Sequence, residues 1–205
     1  MSDTGQLMQF VSSPAAIVAA AALLFWVLVA VLLFKYLKRT ADARLLKKIF
    51  ARHCQAIEMD AVFPDGLDGF MFVDYLLLLQ GRIVALKTLS KKGVVLGMPD
   101  GDEWTCIENN RSSKFPNPLL GLKQSVDQMR HILDYKGIDA LVLFGSQSEF
   151  PKGITDGALQ LADLDKDLSL RKGSESEHAR AKDVWDKLID LNHQARKELN
   201  HQLAS

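Results

Sequence analysis

From Tyr75 to Pro99 the chain contains no aspartate and no glutamate. That gap covers the most apolar stretch of the later sequence, so a second carboxylate beside Asp74 would have to come from elsewhere. The 205 residues include only two cysteines, Cys54 and Cys106, far apart and outside any CxxC pair, which excludes a disulfide framework and a cysteine zinc site. Net charge is zero, with 25 basic and 25 acidic residues, so the chain as a whole is not a polycation. The five histidines, His53, His131, His178, His193 and His201, lack ligand spacing to acids or cysteines. Ser146 and Ser148 stand outside a GxSxG elbow. "GVVLG" is too short for a phosphate-binding loop. Internal repeats and low-complexity tracts are absent as well.

What is present begins with the run "PAAIVAAAALLFWVLVAVLLF", Pro14 to Phe34, which has no charged residue. Its length matches the roughly 20 residues that cross a hydrocarbon core, and it predicts a single transmembrane helix. The preceding residues 1–13 carry no Lys or Arg. The following residues carry Lys35, Lys38, Arg39, Arg44, Lys47 and Lys48. By the positive-inside rule this asymmetry predicts an outer N-terminus over 1–13, a span over 14–34 and a basic juxtamembrane helix over 35–56. The rest is expected in the cytoplasm, with the lipid bilayer as a partner and, for a bacterial chain, the inner membrane as its location. A cleaved signal peptide fits less well, because the charge order is reversed.

Beyond the run the periodicity is mixed. Leu45, Leu46, Ile49 and Phe50 have helical spacing. "FPDGLDG", Phe63 to Gly69, is turn chemistry, and "FMFVDYLLLL" and "RIVALKTL" read as two buried strands joined by a tight turn at Gln80 and Gly81. "GVVLG" and "EWTCIE" extend this into an antiparallel meander. Asn117 and Pro118 then open a helix whose Leu122, Val126, Met129 and Leu133 recur every three or four residues. A strand over Ile138 to Phe144 follows, then a short helical or irregular stretch near Ala158 to Leu168. Ser174 and Glu177 form a capping box for a last helix over 171–205, with the stripe Ala181, Val184, Leu188, Leu191 and Ala195. This stripe is too short for a sustained coiled-coil seam and reads as a face packed on its own domain.

Several strings, "VFPDGLDGFMFVDYLLLLQGRIVALKTLSKKGVVLG", "DEWTC" and "KFPNPLLGLKQSVDQMRHIL", resemble the nuclease-related domain family, NERD, of the PD-(D/E)XK superfamily. The likeness covers roughly Met59 to Phe150 and rests on Pro64-Asp65-Gly66, Val73-Asp74, Gly93 to Gly97, Trp104 and Asn117-Pro118. It implies an α/β fold with an αβββαβ core over 57–170, following the transmembrane helix and followed by the C-terminal helix. It also implies a metal site in which Asp74 would be joined by a Glu-x-Lys pair on the next strand. At those positions this chain has Leu86 and Thr88. Shifting to Ala85 and Lys87 would place the pair on the other face of the strand. A glutamine of the family's helix appears as Gly121, and its opening Gly-Glu is missing from "ADARLLKKIF".

Asp74 is therefore either the surviving acid of a lapsed catalytic site or a structural acid that accepts amide hydrogen bonds or pairs with Arg82, Lys87 or Lys91. Asp65, Asp68, Glu103 and Asp127 are the acids that folding could bring to it. No metal ligand set and no cofactor is assigned, and magnesium enters only if such an acid completes the site. Lys87, Lys91, Lys92, Lys114 and Lys123, with Arg82 and Arg111, are the candidate nucleic-acid-binding residues. The expected function is a membrane-anchored nuclease-like domain that is more a binding module than an enzyme, with nucleic acid or a membrane or cytoplasmic protein as partner. A scaffold without a nucleic-acid role, and an active nuclease with relocated ligands, remain as alternatives.

Overall fold

The computed structural model describes residues 25–30, 41–64 and 69–204, in two compact units, Met1–Leu45 and Leu46–Ser205. In the first, residues 25–30 are helical, with Phe25 and Trp26 edge to face at 6.4 Å. The expected transmembrane helix is overturned: among the described residues no helix is long and apolar enough to cross a membrane. Of the run 14–34 only residues 25–30 are described, about 9 Å of helix at ~1.5 Å per residue. Its remainder and residues 1–13 lie outside the described residues.

The second unit is mixed α/β with two sheets. A helix over 41–53, α1, enters it at Leu46. The large sheet has the order β1-β2-β3-β7-β9, with β1 (Ala56–Pro64), β2 (Phe70–Leu79) and β3 (Arg82–Leu89) antiparallel. β7 (Ile138–Phe144) runs parallel to β3, and β9 (Ala158–Gln160) parallel to β7. The small sheet has the order β6-β5-β4-β8, from β4 (Gly93–Leu96), β5 (Glu103–Glu108), β6 (Arg111–Pro116) and β8 (Ser148–Glu149). Helix α2 (Pro118–Ile132) leads into β7. Two further helices, α3 (Leu164–Leu170) and α4 (Glu175–Ala204), complete the chain.

β3 lies at the centre because it is apolar on both faces: Ile83, Val84, Ala85 and Leu86 are fully buried. Ile83 and Ala85 join Leu122, Val126 and Met129 of α2 and Val184 and Leu188 of α4 in one core. Val84 and Leu86 join Ile49 and Phe50 of α1 and Leu164 and Leu168 of α3 in the other. The β2–β3 hairpin turns at Gln80 and Gly81, with Leu79 opposite Arg82. Gly81 has φ +79° and a Cβ there would stand 3.0 Å from the Gly173 Cα, so both the turn and the close backbone approach require glycine.

The single meander expected from β2 through β5 divides instead. After Leu89 the chain leaves the large sheet, Gly93 takes φ +88°, and β4 pairs with β5 and β8 while β7 occupies the free edge of β3. Trp104 of β5 ties the two sheets together by stacking on Phe144 of β7 at 5.8 Å with planes 8° apart. Gly97 makes room for it, since a Cβ there would lie 2.1 Å from the indole. Asn117 organises the adjoining turn. Its Oδ1 accepts the Leu119 N–H at 2.9 Å, capping α2, and its Nδ2 reaches the carbonyls of Met98, Pro99 and Gly101 at 3.3, 3.0 and 2.7 Å.

β1 and β2 hold one register throughout, yet both change face midway. Val73 packs into the same core as Leu76 and Leu78, as Ala61 does with Ala56, and Asp60 between them has φ +52°. α4 secures this irregular edge. The stripe residues Ala181, Val184, Leu188 and Ala195 are buried, Leu191 partly so, and the fully buried Asn192 accepts the Val62 N–H at 2.8 Å. Arg196 donates to the carbonyls of Met59 and Asp60 at 2.9 and 2.7 Å. Asn192→Ala is expected to leave the Val62 amide buried and unpaired and to lower unfolding free energy by about 1–3 kcal/mol, measured by chemical denaturation. An unchanged midpoint would show that this clasp contributes nothing.

Candidate functional site

The fold brings Asp74 and Thr88 together. Asp74 precedes the last β2–β3 ladder pair, Tyr75 with Leu86, and Thr88 lies just past the same pair on β3. The Thr88 N–H donates to Asp74 Oδ2 at 2.6 Å and the Thr88 hydroxyl donates to the same oxygen at 2.7 Å. Both donors compete directly with any cation for that oxygen, so its lone pairs are spent inside the protein. Leu86, where the resemblance would put the glutamate, is fully buried and packs with Leu77, Leu141 and Leu143 under α1. A carboxylate there would be desolvated on every side, at a cost of several kcal/mol.

Lys87 alternates to the opposite face of β3, in register with Val142. Arg82 turns away from Asp74 as well. It approaches Asp139 at the other end of the sheet, at 3.6 Å, where Arg171 at 3.2 Å and Arg130 at 3.9 Å also converge. The Arg171 guanidinium also pairs with Asp167, which with Asp139 raises the arginine's proton affinity further. Glu103 is paired with Lys114 at 2.9 Å and Asp127 with Arg130 at 2.9 Å, so both have charged partners of their own. Asp65 and Asp68 lie outside the described residues. Among the described residues no group of three or more His, Cys, Asp or Glu side chains is placed to hold a metal ion.

The acid that the sequence reading missed is Asp60. With Asp74 it pushes the Tyr75 hydroxyl upward, after the larger effect of burial. The sequence reading assigned no strand over Ala56–Pro64, and it is the β1–β2 register that sets Asp60 beside Asp74, between the Met59–Tyr75 and Ala61–Val73 pairs. The two thiols offer no nucleophile: burial pushes Cys54 up to about 12, and the buried Cys106 donates to the Lys92 carbonyl at 3.2 Å.

The predicted basic residues separate into groups. Lys91 and Lys92 lie in the β3–β4 connection, held to the small sheet by the Ser148 hydroxyl on the Lys91 carbonyl at 2.8 Å and by Cys106 on that of Lys92. The Lys91 ammonium stands 4.4 Å over the Phe115 ring of β6, next to Lys114. Lys123 is exposed on α2. Lys114, the strand neighbour of Phe115, points to the other face of the small sheet and pairs there with Glu103, so the structure does not gather the predicted lysines into one patch, and Lys87 and Lys123 belong to other elements.

A second charged cluster joins α1 to α3. Arg52 donates to both carboxylate oxygens of Asp165, at 2.9 and 2.8 Å, and His53 Nε2 meets Oδ1 at 2.8 Å. The His53 hydrogen bond, assisted by Arg52, holds the exposed Asp165 carboxyl below its ordinary range. No family model, no curated protein and no solved structure matches this chain.

Two measurements test these arrangements. Thr88→Val removes one of the two donors to Asp74 and is expected to cost about 1–3 kcal/mol in chemical denaturation, with Thr88→Ser recovering most of it. For Asp165, a depressed folded-state pKa means that its contribution is present above the unfolded value near 3.8 and is lost as pH falls below it. The Tm difference between wild type and Asp165→Asn should therefore be present above about pH 4 and shrink below that. A difference that persists at lower pH would sink this assignment.

Proposed function

We propose that the Leu46–Ser205 unit is a nuclease-like α/β domain that acts by binding rather than by cleavage, with nucleic acid as its ligand. The observation that carries this reading is the Asp74 Oδ2 atom, which accepts both the Thr88 amide and the Thr88 hydroxyl. Metal-dependent phosphodiester hydrolysis needs hard oxygen ligands that hold a divalent ion, and a group that assists the attacking water. Here one oxygen of the acid is bonded to its neighbour, the position the resemblance gives to the glutamate is the core residue Leu86, and the position it gives to the lysine is the threonine that bonds the acid. The likeness of the strings around Asp74 and Asn117 to the nuclease-related domain family supports the nuclease-like part of the proposal. The basic residues on and beside the small sheet, Lys91, Lys92, Arg111 and Lys114, support the ligand.

A protein partner is the second reading, favoured by Ile57, Met59 and Phe72, large apolar side chains exposed on β1 and β2. Met59→Ser and Phe72→Ser would weaken that association and leave nucleic-acid binding unchanged.

The test of inertness is incubation of the full chain with DNA and RNA in magnesium or manganese. No cleavage above a protein-free control is expected, for wild type or for Asp74→Ala. Metal-dependent cleavage by wild type that Asp74→Ala abolishes would overturn the reading, and would mean that another acid completes the site.

A further inference from the structure

We propose that the open face of β1 and β2 beside α1 is a docking surface for a basic, apolar segment of a protein partner, one that presents a lysine or arginine between large apolar side chains. This goes beyond the nucleic-acid reading, and it rests on the protein-partner reading, to which it gives a place and a chemistry. Phe50 of α1 meets the Tyr75 ring edge to face at 5.3 Å. Beside that contact Ile57, Met59 and Phe72 are left 41, 61 and 59% exposed, too much large apolar surface on one face for scattered single residues.

The three share one side of the sheet. Ile57 and Met59 pair with Leu77 and Tyr75, which pack toward α1, while Phe72 alternates with Met71 and Val73, which pack toward α2 and α4. The change of face in both strands brings two acids to the same side. Asp60 and Asp74 are the strand neighbours of the inward Ala61 and Val73, and Asp74 bonds Thr88 there. Along the face the order is therefore apolar Met59, acidic Asp60, then apolar Phe72 beside Val62. Apolar, cationic, apolar is the matching order in a partner.

Charge selects this occupant. Asp74 Oδ2 takes the two Thr88 bonds, and among the described residues no basic side chain pairs with the carboxylate of Asp60 or Asp74. Arg196 meets only the Asp60 carbonyl and pairs with Glu58. Burial first, then Asp74 and Asp60, push the Tyr75 hydroxyl upward, and no cation opposes them. A phosphate chain, an anionic lipid surface or a second copy laid face to face would each set negative charge against this pair. Strand addition at the β1 edge is closed too, because Asn192 and Arg196 already hold the Val62 N–H and the Met59 and Asp60 carbonyls. The partner must lie across the face.

The experiment is fluorescence anisotropy of the full chain with three labelled peptides of one pattern, built from leucine and lysine, leucine and glutamate, or serine and lysine. Only the first should bind well. Met59→Ser and Phe72→Ser should each weaken it about 5- to 30-fold, the effect of removing a large side chain from the middle of a contact. Asp60→Asn suits the φ of +52° and should weaken it by about 2- to 5-fold at low salt, with no effect at about 1 M, where charges are screened within about 3 Å.

Binding that none of the three substitutions changes would overturn the placement while leaving the protein-partner reading in place. Equal binding of the leucine and glutamate peptide, or an advantage of wild type over Asp60→Asn that persists at high salt, would overturn the charge selection and the proposal with it. No binding of any of the three peptides would defeat the partner reading beneath it as well.

Discussion

Strand β3 is buried on both faces, and the other layers follow from that. Four successive fully buried residues, Ile83 to Leu86, must be covered above and below, so α2 and α4 close one side and α1 and α3 the other. They must also have a hydrogen-bonded neighbour at each edge, since unpaired backbone in such a place is costly. β2 supplies one edge and β7 the other, through an unbroken parallel register from Ile83–Ile138 to Leu89–Phe144. This coverage leaves the small sheet outside the main stack, joined to it through Trp104 on Phe144.

The same constraint limits the chemistry. A metal site on β3 would need charged side chains emerging where the strand leaves its cover, and in this chain cover extends through Leu86. Polarity begins only at Lys87 and Thr88, and Thr88 turns its hydroxyl and amide onto Asp74. One carboxylate oxygen, Oδ2, is bonded within the protein, and that contact ties β2 to β3 by closing the hairpin at its far end.

Polar side chains serve as structural ties where the backbone departs from regularity. Asn192 and Arg196 of α4 take up backbone groups of β1 where it changes face. Asn117 gathers three carbonyls of the turn before β5 while capping α2. Asp139 draws three arginines from three elements. Such residues are costly to bury unless every bond is made, and their partners lie far away in the chain.

Local chemistry determined much on its own. Apolar runs broken at Gln80-Gly81 specify the β2–β3 hairpin, Asn117-Pro118 starts α2, and Ser174 with Glu177 starts α4, because turns and caps are made by near neighbours. Tertiary structure alone decided what depends on distant partners. β1 and β6 lack the apolar alternation of an inner strand and become strands by pairing, β1 against β2 and β6 against β5. The apolar run at 14–34 predicted a membrane-spanning helix from hydropathy alone, and among the described residues no helix is long and apolar enough to cross a membrane. Whether Asp74 would be open or occupied was likewise set by a contact across fourteen residues, which only the folded sheet brings together.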